Sequence, residues 1–228
     1  MNNNIETLRV TSKIPLRFKI DALLLPALFL WKFGIVGILY YAIVFISLLV
    51  HEYAHVWAAL KRDVETVRVV VHAFGAAALM RPENSTLNYK NEFAIAIAGP
   101  IASFVLGIVF LVPYLASING PFNVIMICAF LNLGLGVFNM LPMYPSDGGR
   151  ILNSILSRFV GYTRAVKIST IVAYVVAGAL IVLGLCIKHY FLIGVSIFVI
   201  ILANINRRTV LGHIEALKSM GVRPVRRV

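Results

Sequence analysis

Residues 33–60 read FGIVGILYYAIVFISLLVHEYAHVWAAL, and this stretch decides the fold. It exceeds the ~20 apolar residues that a helix needs to cross the ~30 Å hydrocarbon core of a bilayer. Yet His51, Glu52 and His55 lie near its end. A charged side chain at the centre of a membrane helix costs at least ~2.5–3.5 kcal/mol. Polar groups clustered in this way face a protein interior and persist because they do something.

The remainder of the chain agrees with a membrane setting. Of its 228 residues, 60% are hydrophobic and 13% charged, more apolar surface than a water-soluble domain of this size can hide. Six apolar segments can be drawn, at about 16–31, 33–60, 93–117, 121–141, 168–187 and 190–206. Counting the N-terminal arm (with Arg17 and Lys19 at the start of the first segment) and the tail along with the gaps, nineteen of the 21 Lys and Arg residues fall in one alternate set, and two fall in the other. By the positive-inside rule an even number of spans is expected, with both termini cytoplasmic. The same distribution accounts for the net charge of +12 without nucleic acid, because the basic residues do not line one helix face among aromatics. Cys128 and Cys186 lie within apolar segments and are expected to be buried thiols rather than a disulfide.

Between the second and third segments, VETVRVVV at 64–71 is rich in β-branched residues, and Gly75 follows within AFGAAALM at 73–80. A small cytoplasmic-side β-hairpin or sheet is expected there. Residues 150–160 place Ile151, Leu152, Ile155, Leu156 and Phe159 on one face, the pattern of an interfacial helix. The expected fold class is an all-α polytopic membrane protein with about six transmembrane helices and that hairpin. A single domain over 1–228 is expected, with its core at about 33–149.

Residues four apart on a helix share a face, so His51 and His55 of HEYAH can offer two nitrogens to one zinc ion. Glu52 lies about 100° round the helix, beside the metal, where it can accept a proton from an attacking water. A catalytic zinc site usually takes three protein ligands and keeps one open position. The candidate for the third is Asp147, in FNMLPMYPSDGGRIL at 138–152. Pro142 and Pro145 prevent a regular helix there, while Gly148 and Gly149 permit sharp turns. Irregular backbone at membrane depth is tolerated where it is buried in protein or lines a wet cavity. The other reading of Asp147 is a turn residue at the membrane surface. The topology places His51, His55 and Asp147 at similar depth, within the bilayer and nearer its cytoplasmic side. Gly99, Ser103 and Gly107, spaced by four, read as a surface for close helix approach.

These residues resemble the site-2 protease family of intramembrane zinc metalloproteases, peptidase family M50. HExxH at 51–55, AGP at 98–100 and NxxPxxPxDGG at 139–149 occur in that family's order and spacing. The resemblance implies one zinc per chain on His51, His55 and Asp147, Glu52 activating water, and Asn139 positioning substrate or stabilising the oxyanion. It also implies membrane-protein substrates cut in or near their transmembrane segments, in a compact form without PDZ or CBS domains. The rival class is a membrane metal-ion transporter using the His pair and Asp147 as a transit site. Glu52 argues against that class, because a transit site needs no base between its ligands.

Overall fold

A computed structural model describes residues 16–18, 23–62, 64, 66–72, 75–80, 89–116 and 124–219. Its order is β1 (Leu16–Phe18), α1 (Leu24–Phe33), α2 (Ile35–Leu60), β2 (Thr66–His72), β3 (Gly75–Met80), α3 (Tyr89–Ala116), α4 (Val124–Met140), α5 (Asp147–Val160), α6 (Tyr162–Cys186) and α7 (Tyr190–Ser219). The helices pack in a chain: α2 on α3, α3 on both α4 and α5, α5 on α6, and α6 on α7.

The expected fold class requires correction. Among the described residues there are seven helices, and four of them (α2, α3, α6 and α7) are long and apolar enough to cross a bilayer. The first expected segment fails because its beginning is spent on strand β1 and its end on the 10-residue α1. At 1.5 Å per residue α1 spans only ~15 Å. Gly34, at φ 62°, then ends α1 and starts α2. The 17 residues of α4 reach roughly 25 Å, the lower limit for a span. Between α2 and α3, strands β2 and β3 pair antiparallel (Val70↔Ala77), and β1 joins β2 in parallel (Leu16↔Val69), a third strand from before α1 that lay outside the expected hairpin or sheet.

The interior is small and polar while the exterior is large and apolar. Ala59, Ala129, Ala165, Ala173 and Ala177 are buried, as are Ser47, Ser103, Asn132, Ser169, Thr170 and Ser196. Trp31, Ile35, Val112, Phe159 and Val175 stand outside. This inversion suits lipid, where helices gain by close backbone approach and not by hiding leucine. The buried hydroxyls of Ser169, Thr170 and Ser196 each donate to the carbonyl one turn back on their own helix. Asn132 of α4 donates to the Ser47 hydroxyl of α2 at 2.9 Å, tying two helices together. Cys128 is half-buried and free, whereas Cys186 is free but exposed, contrary to the expected burial.

The amphipathic helix expected at 150–160 is α5, and its inward face is not the apolar one. Asp147, Gly148, Gly149, Ile151, Ser154 and Ser157 are buried, while Ile155 and Phe159 face outward.

Candidate metal centre

Two helices meet to build the site. His51 and His55, one turn apart on α2, present their Nε2 atoms to each other at 3.2 Å. Asp147, the first residue of α5, places Oδ2 at 2.9 Å from His51 Nε2 and 3.1 Å from His55 Nε2. The three side chains are buried, at 3%, 3% and 7% exposure. Among the described residues they are the one group of His, Cys, Asp and Glu with ligand atoms this close together.

The other imidazole nitrogens show what the cluster is built to hold. His55 Nδ1 donates to the Ile95 carbonyl of α3 at 2.7 Å. A neutral His55 then has only a lone pair at Nε2, aimed at the Asp147 carboxylate. The lone pair of His55 Nε2 and the Asp147 carboxylate oxygen, 3.1 Å apart, are both acceptors and repel one another unless a proton or a cation joins them. Tetrahedral zinc with bonds of ~2.0–2.1 Å has ligand edges of roughly 3.3 Å, close to this triangle. His51 Nδ1 lies 2.9 Å from the Ser103 hydroxyl. Both histidines thus have the outer hydrogen bond that fixes the ring of a metal ligand. The residues fit a zinc ion.

Space at the site depends on Gly99. A β-carbon there would lie 2.3 Å from His55 Nε2 and 2.6 Å from His51 Nε2. The expected role of Gly99 and Ser103 in close helix approach therefore has a more specific content: both serve the histidines. Gly107 does lie against a neighbouring helix, at Leu133 of α4.

The turn before Asp147 is held by local hydrogen bonds. The Ser146 hydroxyl donates to the carbonyls of Leu141 and Met143, at 2.7 and 2.5 Å. Gly148 and Gly149 are not needed for left-handed backbone, since positive φ at glycine occurs only at Gly34 and Gly161 among the described residues. They are needed for close approach. A β-carbon on Gly148 would fall 2.2 Å from the Leu141 carbonyl oxygen, and one on Gly149 would fall 2.8 Å from Tyr144 N. The Arg150 guanidinium, with Nη1 3.5 Å from Asp147 Oδ1, favours the ionised carboxylate. The ionised form is the one that binds metal.

Glu52 follows His51 on α2 and is half-buried. Asn139 is not part of the ligand cluster. Its Nδ2 donates to the Leu135 carbonyl at 3.0 Å, and the residue lines an apolar cleft of about 650 Å³ between α4, the 141–146 turn and α7. Sequence reasoning missed Ser103 as a histidine partner, Gly99 as the floor of the site, and the Glu92–Arg150 ion pair at 3.1 Å. The regular four-residue spacing of Gly99 and Ser103 was the available signal, but it does not say which helix they face.

The sequence pattern of Peptidase family M50 matches residues 39–119 and 114–183. The zinc metalloprotease MJ0392 of Methanocaldococcus jannaschii is 34% identical over 193 residues, covering 81% of this chain and 56% of that protein. The putative zinc metalloprotease Rip3 of Mycobacterium tuberculosis is 37% identical over 166 residues, 70% of this chain and 41% of its own length. The chain therefore spans about half the length of the curated relatives it matches. Among solved structures, the site-2 protease from Methanocaldococcus jannaschii superposes with a TM-score of 0.64 at 32% identity. That match covers 86% of this chain and 91% of the other.

Proposed function

Because this chain belongs to Peptidase family M50, we propose that it is an intramembrane zinc metalloprotease cutting peptide bonds in or near the transmembrane segments of membrane proteins. The observation that carries the reading is the convergence of two imidazole nitrogens and one carboxylate oxygen, all buried, from helices far apart in sequence.

His51, His55 and Asp147 would hold the ion. Zinc, when bound there, polarises a carbonyl and lowers the pKa of a water towards ~7. Ile95 and Ser103 keep the imidazoles oriented, so little reorganisation is needed as charge develops. Glu52 accepts the proton of the attacking water and returns it to the departing amine. Asn139, in the cleft wall, positions the substrate strand or donates to the developing oxyanion. The apolar lining of that cleft suits a lipid-soluble segment better than a polar peptide.

Lys61, Arg62, Arg68, Arg81 and Lys90, all in the segment that follows α2, support a cytoplasmic position for that end of α2. The histidines lie roughly 8–14 Å from the end of α2 at 1.5 Å per residue. We therefore read the chemistry as lying inside the bilayer, nearer the cytoplasmic face. The single domain is centred on about 33–149.

Glu52→Gln tests the reading. The variant is expected to retain stoichiometric zinc and to lose cleavage of a membrane-tethered reporter by at least ~10²-fold. Retention of turnover by this variant, or lack of zinc in the unmodified protein, overturns it. A transporter would keep its metal flux after the same substitution.

A further inference from the structure

We propose that Arg150 is a positioning residue of the metal centre, holding the outer oxygen of Asp147 through a bridge anchored on Glu92. The inference rests on the reading of His51, His55 and Asp147 as zinc ligands. In the sequence Arg150 is one basic residue among the many that set topology. The structure gives it a particular place. Its Nε donates to Glu92 Oε1 on α3 at 3.1 Å, and its Nη1 lies 3.5 Å from Asp147 Oδ1, one turn back on its own helix.

Asp147 thereby divides its two oxygens. Oδ2 faces both imidazole nitrogens, and Oδ1 faces the guanidinium. The terminal torsion of an aspartate is broad, so an unrestrained carboxylate could present either oxygen, or both. Engaging Oδ1 leaves Oδ2 as the single donor atom directed at the ion. A guanidinium suits this task because its N–H groups diverge in one plane in fixed directions and can reach two carboxylates together. A lysine ammonium is a point charge without that fork.

The anchor lies on a helix that already serves the site. Glu92 is in the first turn of α3, and the same helix supplies the Ile95 carbonyl, Gly99 and the Ser103 hydroxyl. The bridge thus ties the helix that orients the histidines to the helix that carries the third ligand. The side chains of Arg150 and Glu92 are 22% and 25% exposed, so water screens the pair less than it would on an open surface.

The test uses the full chain in detergent, with zinc content read by elemental analysis across a graded series of chelator buffers. Melting temperature is read in parallel. Arg150→Lys and Arg150→Met are each expected to weaken zinc binding about 10- to 100-fold, with occupancy restored by excess zinc. Exchanging the charges, Glu92→Arg with Arg150→Glu, rebuilds an ion pair between the helices but sets a carboxylate against Asp147. That double variant is expected to bind zinc no better than Arg150→Met. A role confined to joining helices predicts the opposite: recovery of zinc in the exchanged pair, or a lower melting temperature with zinc affinity unchanged. Either result overturns the inference. Should Arg150→Met fail to fold, Arg150→Lys, which keeps the charge and most of the volume, decides the matter alone. An unmodified chain that binds no zinc overturns both this inference and the reading beneath it. Normal zinc in the unmodified chain with unaffected Arg150 variants overturns the inference alone.

Discussion

A β-carbon added to Gly99 would stand 2.3 Å from the Nε2 atom of His55, closer than any van der Waals contact allows. Position 99 on α3 and position 55 on α2 are therefore a matched pair. The missing side chain of one makes room for the Nε2 nitrogen of the other.

Gly99→Ala should consequently cost the site more than it costs the helix. Alanine is the better helix former, but overpacking a filled interior costs about 1–3 kcal/mol, or roughly ten- to a hundredfold in zinc affinity. Zinc content of the purified variant under chelator challenge checks this. Binding equal to that of the unmodified chain would show that the helices yield freely.

Ser103→Ala probes the outer shell. It leaves the packing nearly unchanged but removes the hydroxyl 2.9 Å from His51 Nδ1. Loss of such a partner typically lowers metal affinity or activity about 10- to 100-fold. Zinc titration should show the loss while melting of the zinc-free protein changes little.

Gly148→Ala and Gly178→Ala form a contrasting pair. The first would drive a β-carbon to 2.2 Å from the Leu141 carbonyl oxygen, where only backbone can move. Stability should fall by about 1–3 kcal/mol or more, and zinc should be lost as Asp147 shifts. The second lies within α6 with nothing inside 4 Å of the added atom. There the substitution should stabilise by about 0.4–1 kcal/mol. Thermal unfolding of the two variants measures both signs.

Much of this centre was legible in the linear chain because its logic is local. The His51–His55 spacing fixes one helix face whatever surrounds it. An aspartate after two prolines, inside an otherwise apolar region, has few uses. The number of spans was less legible. An apolar run at 16–31 satisfies a composition rule, but Leu16–Phe18 pairs with Val69–Val71 and Gly34 cuts the following helix short. Strand pairing of that kind is a contact between segments some fifty residues apart, and no local pattern announces it.

The amino-acid order by itself determined the solvent, the residue types that gather at the candidate site and the helix that carries two of them. These follow from hydrophobicity and from the 3.6-residue turn, which need no neighbours. Only the tertiary structure decided that α3 lies behind the histidines, with Ile95 and Ser103 fixing their rings and Gly99 leaving the space. It alone decided, too, that Arg150 turns from a surface charge into a partner of Asp147. The physical reason is that a hydrogen bond or an absent β-carbon acts through distances of 2–4 Å between helices. Those distances exist only once the helices have packed.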